Sequence, residues 1–198
     1  MVRGRPEYAA DIRHIRWLHE VLTAGRFNRV LEIGCFEGRS TTAFLDACRA
    51  GWVAEVHLCE LRPLVCLKKV LAQFGLGNRV TLHREPSCAL LARDDRWGLV
   101  YVDGDHSVAT VWDETTRLLR SGVPAVFAHD TSAHGRYAHC AGPQFLKAAF
   151  QAAGYRTLED SLFRPGEQTD RGMFFATSKA ELYEIALVAF RRHCSVRE

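Results

Sequence analysis

Short apolar runs alternate with amphipathic segments along nearly the whole chain. Apolar runs bounded by glycine or polar residues predict buried strands, and apolar positions three or four residues apart predict helices. The strands are predicted at residues 29–33, 53–59, 79–83, 98–102, 124–128 and 172–177. The helices are predicted at residues 8–24, 40–50, 63–74, 86–91, 108–120, 143–153 and 180–192.

This alternation of strands and helices predicts an α/β fold, a doubly wound and mostly parallel sheet between two layers of helices. We expect one domain over residues 1–198, with an N-terminal helix at 1–25, a Rossmann-like core at 28–178 and a C-terminal helix and tail at 179–198. Ligands of such sheets bind beyond the carboxyl ends of the strands. The residues that follow each strand are therefore the candidates for function.

Composition narrows the class of partner. The net charge is only +3 and the basic residues are scattered, whereas nucleic-acid binding usually needs a clustered basic face. No apolar run approaches the roughly 20 residues of a membrane span. Seven cysteines without a CxxC pair, and an N-terminus without an apolar signal core, favour a reducing cytoplasm. We expect a cytoplasmic protein with a small-molecule partner, and a homodimer remains open.

The first predicted strand runs into a glycine loop, VLEIGCFEGRST. Glu32, Gly34 and Gly38 form an E-x-G-x-x-x-G pattern that opens a helix, for which Ser40 is a candidate N-cap. Gly34 permits a sharp turn and close approach of a ligand, and the helix N-terminus offers free N–H groups to a carboxylate. The pattern is also compatible with a plain tight turn, and it is not the G-x-G-x-x-G of dinucleotide binding.

Glu60 directly follows the second predicted strand, 22 residues after Gly38. An acid at this point of a doubly wound sheet commonly binds ribose hydroxyls. A lone acid at a strand end also fits a solvated surface. The glycine loop and the acid together indicate a ligand site of this kind more specifically than either feature does alone.

Two acidic strings follow the fourth and fifth predicted strands, YVDGDHS and HDT. They would bring Asp103, Asp105 and Asp130 to one rim of the sheet. Clustered carboxylates raise one another's pKa unless a cation or hydrogen-bond donors compensate, so a metal ion or substrate donors are expected there. The alternative is that Asp105 caps the next helix and that His129 is a hydrogen-bonded core histidine.

These strings resemble a known family. VLEIGCFEGRST is similar to motif I of class I S-adenosylmethionine-dependent methyltransferases, and Glu60 matches the acid after their second strand. DGDHS and HDT resemble the small methyltransferases that include sugar O-methyltransferases and cephalosporin hydroxylase-like proteins. The resemblance covers roughly residues 28–131. It implies a Rossmann-like, three-layer α/β/α fold whose seven-stranded sheet has an antiparallel last strand.

The resemblance also implies roles for individual residues. The S-adenosylmethionine site would include Glu32, Gly34, Gly38, Ser40, Glu60, Ser87 and Asp103. A divalent cation, Mg²⁺ or Mn²⁺, would be bound by Asp103, His129 and Asp130. His106 would act as the general base beside Asp103. His129 stands where metal-dependent relatives commonly carry an acid, and Val108 where they often carry tyrosine, so the need for a metal stays open.

The expected reaction is O-methylation of a small hydroxylated acceptor such as a sugar or natural product. A non-catalytic S-adenosylmethionine-binding accessory protein and a nicotinamide-dependent oxidoreductase remain as alternatives, the latter disfavoured by the missing dinucleotide pattern. The modest charge and the lack of an N/D-P-P-Y/F string disfavour an RNA methyltransferase. Residues 131–142 and 160–171 are candidate substrate-covering segments or surface loops. The helix that carries Trp17 is expected to pack in the core, with capping of the pocket or dimerisation as alternatives.

Overall fold

The computed structural model describes residues 11–94, 96–132, 140–160 and 171–194. Within these residues one sheet is formed by β1 (Phe27–Ile33), β2 (Val53–Cys59), β3 (Val80–His83), β4 (Leu99–Val102), β5 (Ala125–His129), β6 (Arg156–Asp160) and β7 (Met173–Thr177). The helices are α1 (Asp11–Gly25), α2 (Arg39–Arg49), α3 (Val65–Phe74), α4 (Ser87–Arg93), α5 (Val108–Ser121), α6 (Ala141–Ala152) and α7 (Ala180–His193).

The strand order is β3-β2-β1-β4-β5-β7-β6. β7 runs antiparallel to both β5 and β6, and the other neighbours pair in parallel. The expected Rossmann-like sheet of seven strands with an antiparallel last strand is confirmed. Its order reverses between β1 and β4, so a ligand crevice is expected beyond the carboxyl ends of these two strands.

Alternate side chains of each strand point to opposite faces of the sheet and build two cores. Phe127 and Phe175 belong to the core under α1, α2 and α7, whereas Val126 and Phe174 belong to the core under α4, α5 and α6. The central strands β4 and β5 are buried at every position. Continuous apolar burial of this kind is the reason that their sequences read as uninterrupted apolar runs.

The α1 helix is held in the core by Trp17, which is fully buried. The indole Nε1 donates to the backbone oxygen of Ala186 in α7 at 3.0 Å, and the ring meets Phe127 edge-on at 5.1 Å between centroids. Glu20 also pairs with His193 of α7 at 2.7 Å. The core-packing expectation for this helix is confirmed, and α1 is fixed against both β5 and α7.

Two local expectations are corrected. Ser40 is not the N-cap of α2, because the helix begins at Arg39 and the cap is Gly38, whose φ of 87° lies in the left-handed region. The apolar pattern does not predict β6, because most of its side chains are only half-buried at the sheet edge and its sequence, RTLED, contains one large apolar residue.

None of the described helices combines the length and apolar character needed to cross a lipid bilayer.

Candidate active site

The glycine loop after β1 packs directly against the loop after β4. Gly34 has a φ of 82°, and a Cβ added there would lie 2.2 Å from the backbone oxygen of Asp103. The backbone N–H of Asp103 donates to the oxygen of Ile33 at 2.9 Å, and that of Gly34 donates to the oxygen of Cys59 at 3.0 Å. Only glycine allows this close approach, which brings the ends of β1, β2 and β4 together.

Glu60 shapes the glycine loop from the end of β2. Its Oε2 accepts from the backbone N–H groups of Cys35 at 3.2 Å and Phe36 at 3.1 Å, and its Oε1 accepts from that of Arg62 at 3.0 Å. Phe36 takes a φ of 43° and leaves 64% of its surface exposed. A left-handed conformation is uncommon for an aromatic residue, and the hydrogen bonds to Glu60 stabilise Phe36 in this conformation.

Glu32 lies beneath the loop rather than at its surface. Its carboxylate is fully buried and accepts from Thr41 Oγ1 at 2.6 Å and from Ser40 Oγ. Burial raises the pKa of Glu32 to about 7, although both hydroxyls favour the charged form. The carboxylate therefore joins β1 to the first turn of α2 and fixes the loop between them.

Because folding raises the pKa of Glu32, the free energy of unfolding is expected to depend on pH. A carboxyl group whose pKa is raised by folding contributes stability below its unfolded pKa, and this contribution is lost as the pH rises through the folded value. With the pKa raised from 4.5 to about 7, the loss spans pH 4.5 to 7 and amounts to about 3 kcal/mol at 1.36 kcal/mol per pH unit. In urea titrations, the free energy of unfolding should therefore fall less between pH 5 and pH 8 for Glu32→Gln than for wild type.

The control for that experiment is Glu55→Gln, which alters an exposed ion pair with Arg29 on the same sheet. It should keep the wild-type difference in stability between the two pH values. An unchanged pH dependence in Glu32→Gln would show that burial does not shift the titration of Glu32.

Asp103, His129 and Asp130 converge beyond β4 and β5. His129 Nδ1 lies 3.6 Å from Asp103 Oδ1 and 3.3 Å from Asp130 Oδ1. Within the described residues, one ligand atom from each of the three lies within 4.8 Å of the others. Tyr101 also donates its hydroxyl to Asp103 Oδ2 at 3.2 Å. The three predicted metal ligands are thus brought together.

The charges of this cluster compensate one another. Burial alone would raise the pKa of Asp103, but His129 and His106 outweigh it and lower that pKa. Burial opposes the charging of His129, yet Asp103 and Asp130 raise the pKa of the imidazole well above its usual value. The arrangement is consequently built to hold positive charge between two carboxylates.

Asp130 reaches the cluster through an unusual backbone conformation. Its φ is 54°, in the left-handed region that aspartate tolerates better than most residues. The side chain is almost fully buried, and its Oδ1 lacks a hydrogen bond among the described residues. Non-glycine residues held in this region often mark functional sites, and this one directs a carboxylate inward.

His106 approaches the same carboxylates from the other side. Its Nε2 lies 3.7 Å from Asp103 Oδ1 and 3.6 Å from Asp130 Oδ2, and its Nδ1 lies 3.6 Å from Cys140 Sγ. The interaction with Asp103 raises the pKa of His106 against the opposing effect of burial. The buried Nε2 makes no hydrogen bond to the described residues.

Asp105 does not join this cluster, which corrects one reading of the acidic string. Its carboxylate accepts from the backbone N–H of Ser107 at 3.0 Å and from Thr110 Oγ1 at 2.7 Å. Ser107 in turn caps α5 by accepting from the N–H of Thr110. Asp105 therefore supports the start of α5 through Ser107 and Thr110, but the cap itself is Ser107 and not Asp105.

A cleft with two lobes opens above the loops at the carboxyl edge of the sheet. The first lobe has a volume of about 420 Å³ and is lined by Ile33, Cys59, Glu60, Ser87 and Gly104 among others. The second lobe has a volume of about 400 Å³ and is lined by His14, Ser40, Tyr101, His129 and Arg171 among others. Gly34, Phe36 and Asp103 border both lobes, so the lobes meet at these residues.

A larger groove of about 880 Å³ lies between α1, α2 and α7 and includes Trp52 and Arg192. It contains none of the carboxylates of the cluster. The chemistry is concentrated in the smaller, two-lobed cleft, which is also where a doubly wound sheet binds ligands.

Ser87 stands at the start of α4 and faces the first lobe. Its hydroxyl donates to Glu114, a nearly fully buried residue of α5 whose pKa burial raises to about 7. Because the Ser87 proton is directed at Glu114, the hydroxyl presents an acceptor to the lobe.

Sequence reasoning missed several residues of the cleft. Tyr101 precedes Asp103 by two strand positions and could have been found from the alternation of faces. His14 lies in α1 and Arg171 lies two residues before β7, and no local signal linked them to the glycine loop. The candidate covering segments 131–142 and 160–171 fall largely on residues 133–139 and 161–170, outside the described residues.

The fold and the cleft define a class: a Rossmann-like domain with a glycine loop after its first strand and an acid after its second. A sequence profile described as a methyltransferase domain matches residues 31–131. The chain belongs to this methyltransferase-domain family. A search of curated proteins found no match.

Solved structures support the fold. Cofactor-bound Rv0187 from MTB is 17% identical over 89% of this chain and 91% of its own, with a TM-score of 0.67. The O-methyltransferase TomG of Streptomyces achromogenes, involved in tomaymycin synthesis and solved with SAM, is 16% identical over 89% and 91% with a TM-score of 0.65. An O-methyltransferase from Bacillus cereus in complex with SAH is 13% identical over 83% and 80%, also with a TM-score of 0.65.

Proposed function

We propose that this protein transfers the methyl group of S-adenosylmethionine to a hydroxyl of a small molecule, with assistance from a divalent cation. The observation that carries the proposal is the two-lobed cleft whose lobes meet at Asp103. One lobe has the residues for a nucleoside, and the other has the charged cluster for an acceptor. Family membership and the SAM- and SAH-bound neighbours support this choice of cofactor.

The first lobe suits the nucleoside part of the cofactor. Glu60 lies at the end of β2, where an acid can accept from ribose hydroxyls. Ser87 presents an acceptor oxygen suited to an adenine amino group, because its own proton is directed at Glu114. Gly34 keeps the backbone between the two lobes free of a side chain, whereas Gly38 turns the chain into α2 and faces Leu67 of α3. Ser40 and Glu32 fix the N-terminal turn of α2, whose free N–H groups favour the carboxylate of the methionine part.

The second lobe suits a divalent cation beside the acceptor. Asp103, His129 and Asp130 would bind it, and the buried Oδ1 of Asp130, without a hydrogen bond to the described residues, fits that role. Two carboxylates and one imidazole suit Mn²⁺ or another transition metal better than Mg²⁺, which prefers oxygen ligands. When bound, S-adenosylmethionine supplies the methyl group, and the cation lowers the pKa of a nearby hydroxyl.

His106 is the proposed general base. Its Nε2 lies beside Asp103 and Asp130, so both carboxylates stabilise the imidazolium that forms when the acceptor hydroxyl loses its proton. Positioned bases of this kind contribute roughly 10²- to 10⁴-fold to rates. Tyr101 keeps Asp103 oriented through its hydroxyl.

The acceptor is proposed to be a small hydroxylated molecule such as a sugar or natural product, since the second lobe of about 400 Å³ is within the size range of small-ligand sites.

All seven cysteines are free thiols, which supports a reducing cytoplasmic location.

Titration calorimetry with S-adenosylhomocysteine tests the cofactor assignment. Wild type should bind, and Glu60→Gln should bind at least about tenfold more weakly, since a charged hydrogen bond contributes roughly 1.5–3 kcal/mol. The control Glu55→Gln, which changes an exposed residue within β2, should bind as wild type does. Absence of binding to wild type would reject the methyltransferase proposal, and binding without turnover on a broad acceptor panel would favour an accessory role.

A further inference from the structure

A buried chain of polar side chains runs from α1 and β6 to the metal-ligand cluster. Asp160 Oδ2 lies 3.1 Å from His14 Nε2, and His14 Nδ1 lies 3.3 Å from His129 Nε2. The three side chains are at most 3% exposed. They come from three separate elements, so their alignment is a property of the tertiary fold.

The chemistry of these groups sets the direction of the hydrogen bonds. An ionised carboxylate only accepts, so His14 Nε2 carries a proton and donates to Asp160. In a neutral imidazole the other nitrogen is then an acceptor, so His14 Nδ1 accepts from His129 Nε2–H. This leaves His129 Nδ1 facing Asp103 and Asp130, where it can bind a cation.

The charges around the chain favour a neutral His14. Arg13 Nε lies 2.6 Å from Asp160 Oδ2, so the carboxylate already has a cationic partner. The N–H of Arg13 Nε is also directed at His14 Nε2 at 3.5 Å, but its much shorter distance to Asp160 favours donation to the carboxylate, so His14 Nε2 can keep its own proton. At the other end, two carboxylates surround His129, so positive charge is better placed there than on His14.

We propose that His14, anchored by Asp160, is a positioning residue that keeps the proton of His129 on Nε2 and thereby directs Nδ1 towards Asp103 and Asp130. The expected effect on metal affinity rests on the proposed function, whereas the positions of the protons on His14 and His129 do not. Outer residues that orient metal-binding histidines typically change metal affinity by about 10- to 100-fold when mutated. α1 is thus part of the site, although it lies outside the glycine loop and the acidic strings.

Two substitutions of His14 separate positioning from packing. Asparagine ends its amide near the position of imidazole Nδ1, so His14→Asn retains an acceptor for His129. Glutamine ends its amide near the position of Nε2, so His14→Gln retains the contact with Asp160 and loses that acceptor. His19→Asn, on the same helix but paired with Asp46 at the surface, is the matched control.

The first test is Mn²⁺ binding followed by electron paramagnetic resonance. His14→Gln should weaken Mn²⁺ binding by about 10- to 100-fold, His14→Asn should lose clearly less, and His19→Asn should match wild type. Equal losses in the two His14 variants, or a smaller loss in the larger glutamine variant, would overturn the proposal, because a packing role favours the residue closer in size to histidine.

The second test does not depend on metal or activity. Nuclear magnetic resonance of ¹⁵N-histidine-labelled wild type should show His14 protonated at Nε2 and bare at Nδ1, with His129 protonated at Nε2. A proton on His14 Nδ1 would overturn the inference. If wild type binds no Mn²⁺, the cation part of the proposed function fails, and the proton positions alone decide this inference.

Discussion

Gly34→Ala is expected to destabilise the fold by roughly 2–5 kcal/mol, the sum of left-handed backbone strain and overpacking. The added methyl group would lie 2.2 Å from the backbone oxygen of Asp103, a contact that no side-chain rotation can relieve. The loops after β1 and β4 would have to separate. S-adenosylhomocysteine binding should therefore be lost at the same time as stability.

Gly51 provides a matched control for this substitution. Its φ of 81° is nearly that of Gly34, but nothing lies within 4 Å of an added Cβ. Gly51→Ala should cost only the backbone strain, about 1–2 kcal/mol. Urea denaturation of both variants separates strain from contact, and equal losses of stability would contradict the close packing of the two loops.

Asp103→Asn is expected to lower turnover on an identified acceptor by roughly a hundred- to thousandfold. A bound cation supplies several kcal/mol of charge stabilisation, and each 1.36 kcal/mol corresponds to about tenfold in rate. The variant keeps the shape of the side chain but removes the charge that faces both His129 and His106. Steady-state kinetics and Mn²⁺ titration should show both losses together.

The control is Asp113→Asn, which alters a surface pair with Arg117 one turn along α5. Its turnover and Mn²⁺ affinity should match those of wild type. If Asp103→Asn kept full turnover with a folded protein, neither the cation nor the base assigned to this cluster would be involved in the reaction.

The order of strands and helices could be predicted from the sequence because the central strands are buried on both faces. β4 and β5 read as unbroken apolar runs, and their predicted bounds lie within one residue of the observed ones. The sequence does not predict β6, because an edge strand buries few side chains and needs no continuous apolar run. Ser40 was misplaced as a cap because a hydroxyl near a helix start reads the same whether it bonds to the backbone or, as here, to Glu32.

The site was predictable only where it follows strand ends. Asp103, His129 and Asp130 could be brought together because parallel strands deliver their carboxyl ends to one edge. The sequence could not distinguish Asp105 from them, because its commitment to Ser107 and Thr110 is a matter of local loop geometry. His14 and Asp160 lay beyond reach, since their meeting with His129 depends on how α1 and β6 pack.

The packing of α1 has a consequence for the order in which a ribosome-bound chain can mature. Trp17 and Ala186, which join α1 to α7, are 169 positions apart. The glycine loop, Glu60 and Asp103 are all translated long before α7, so a nascent chain can carry these motifs while α1 still lacks its partner. His14 reaches His129 only after α1 docks, so the hydrogen-bonded row from Asp160 through His14 to His129 should be among the last parts of the site that a growing chain forms.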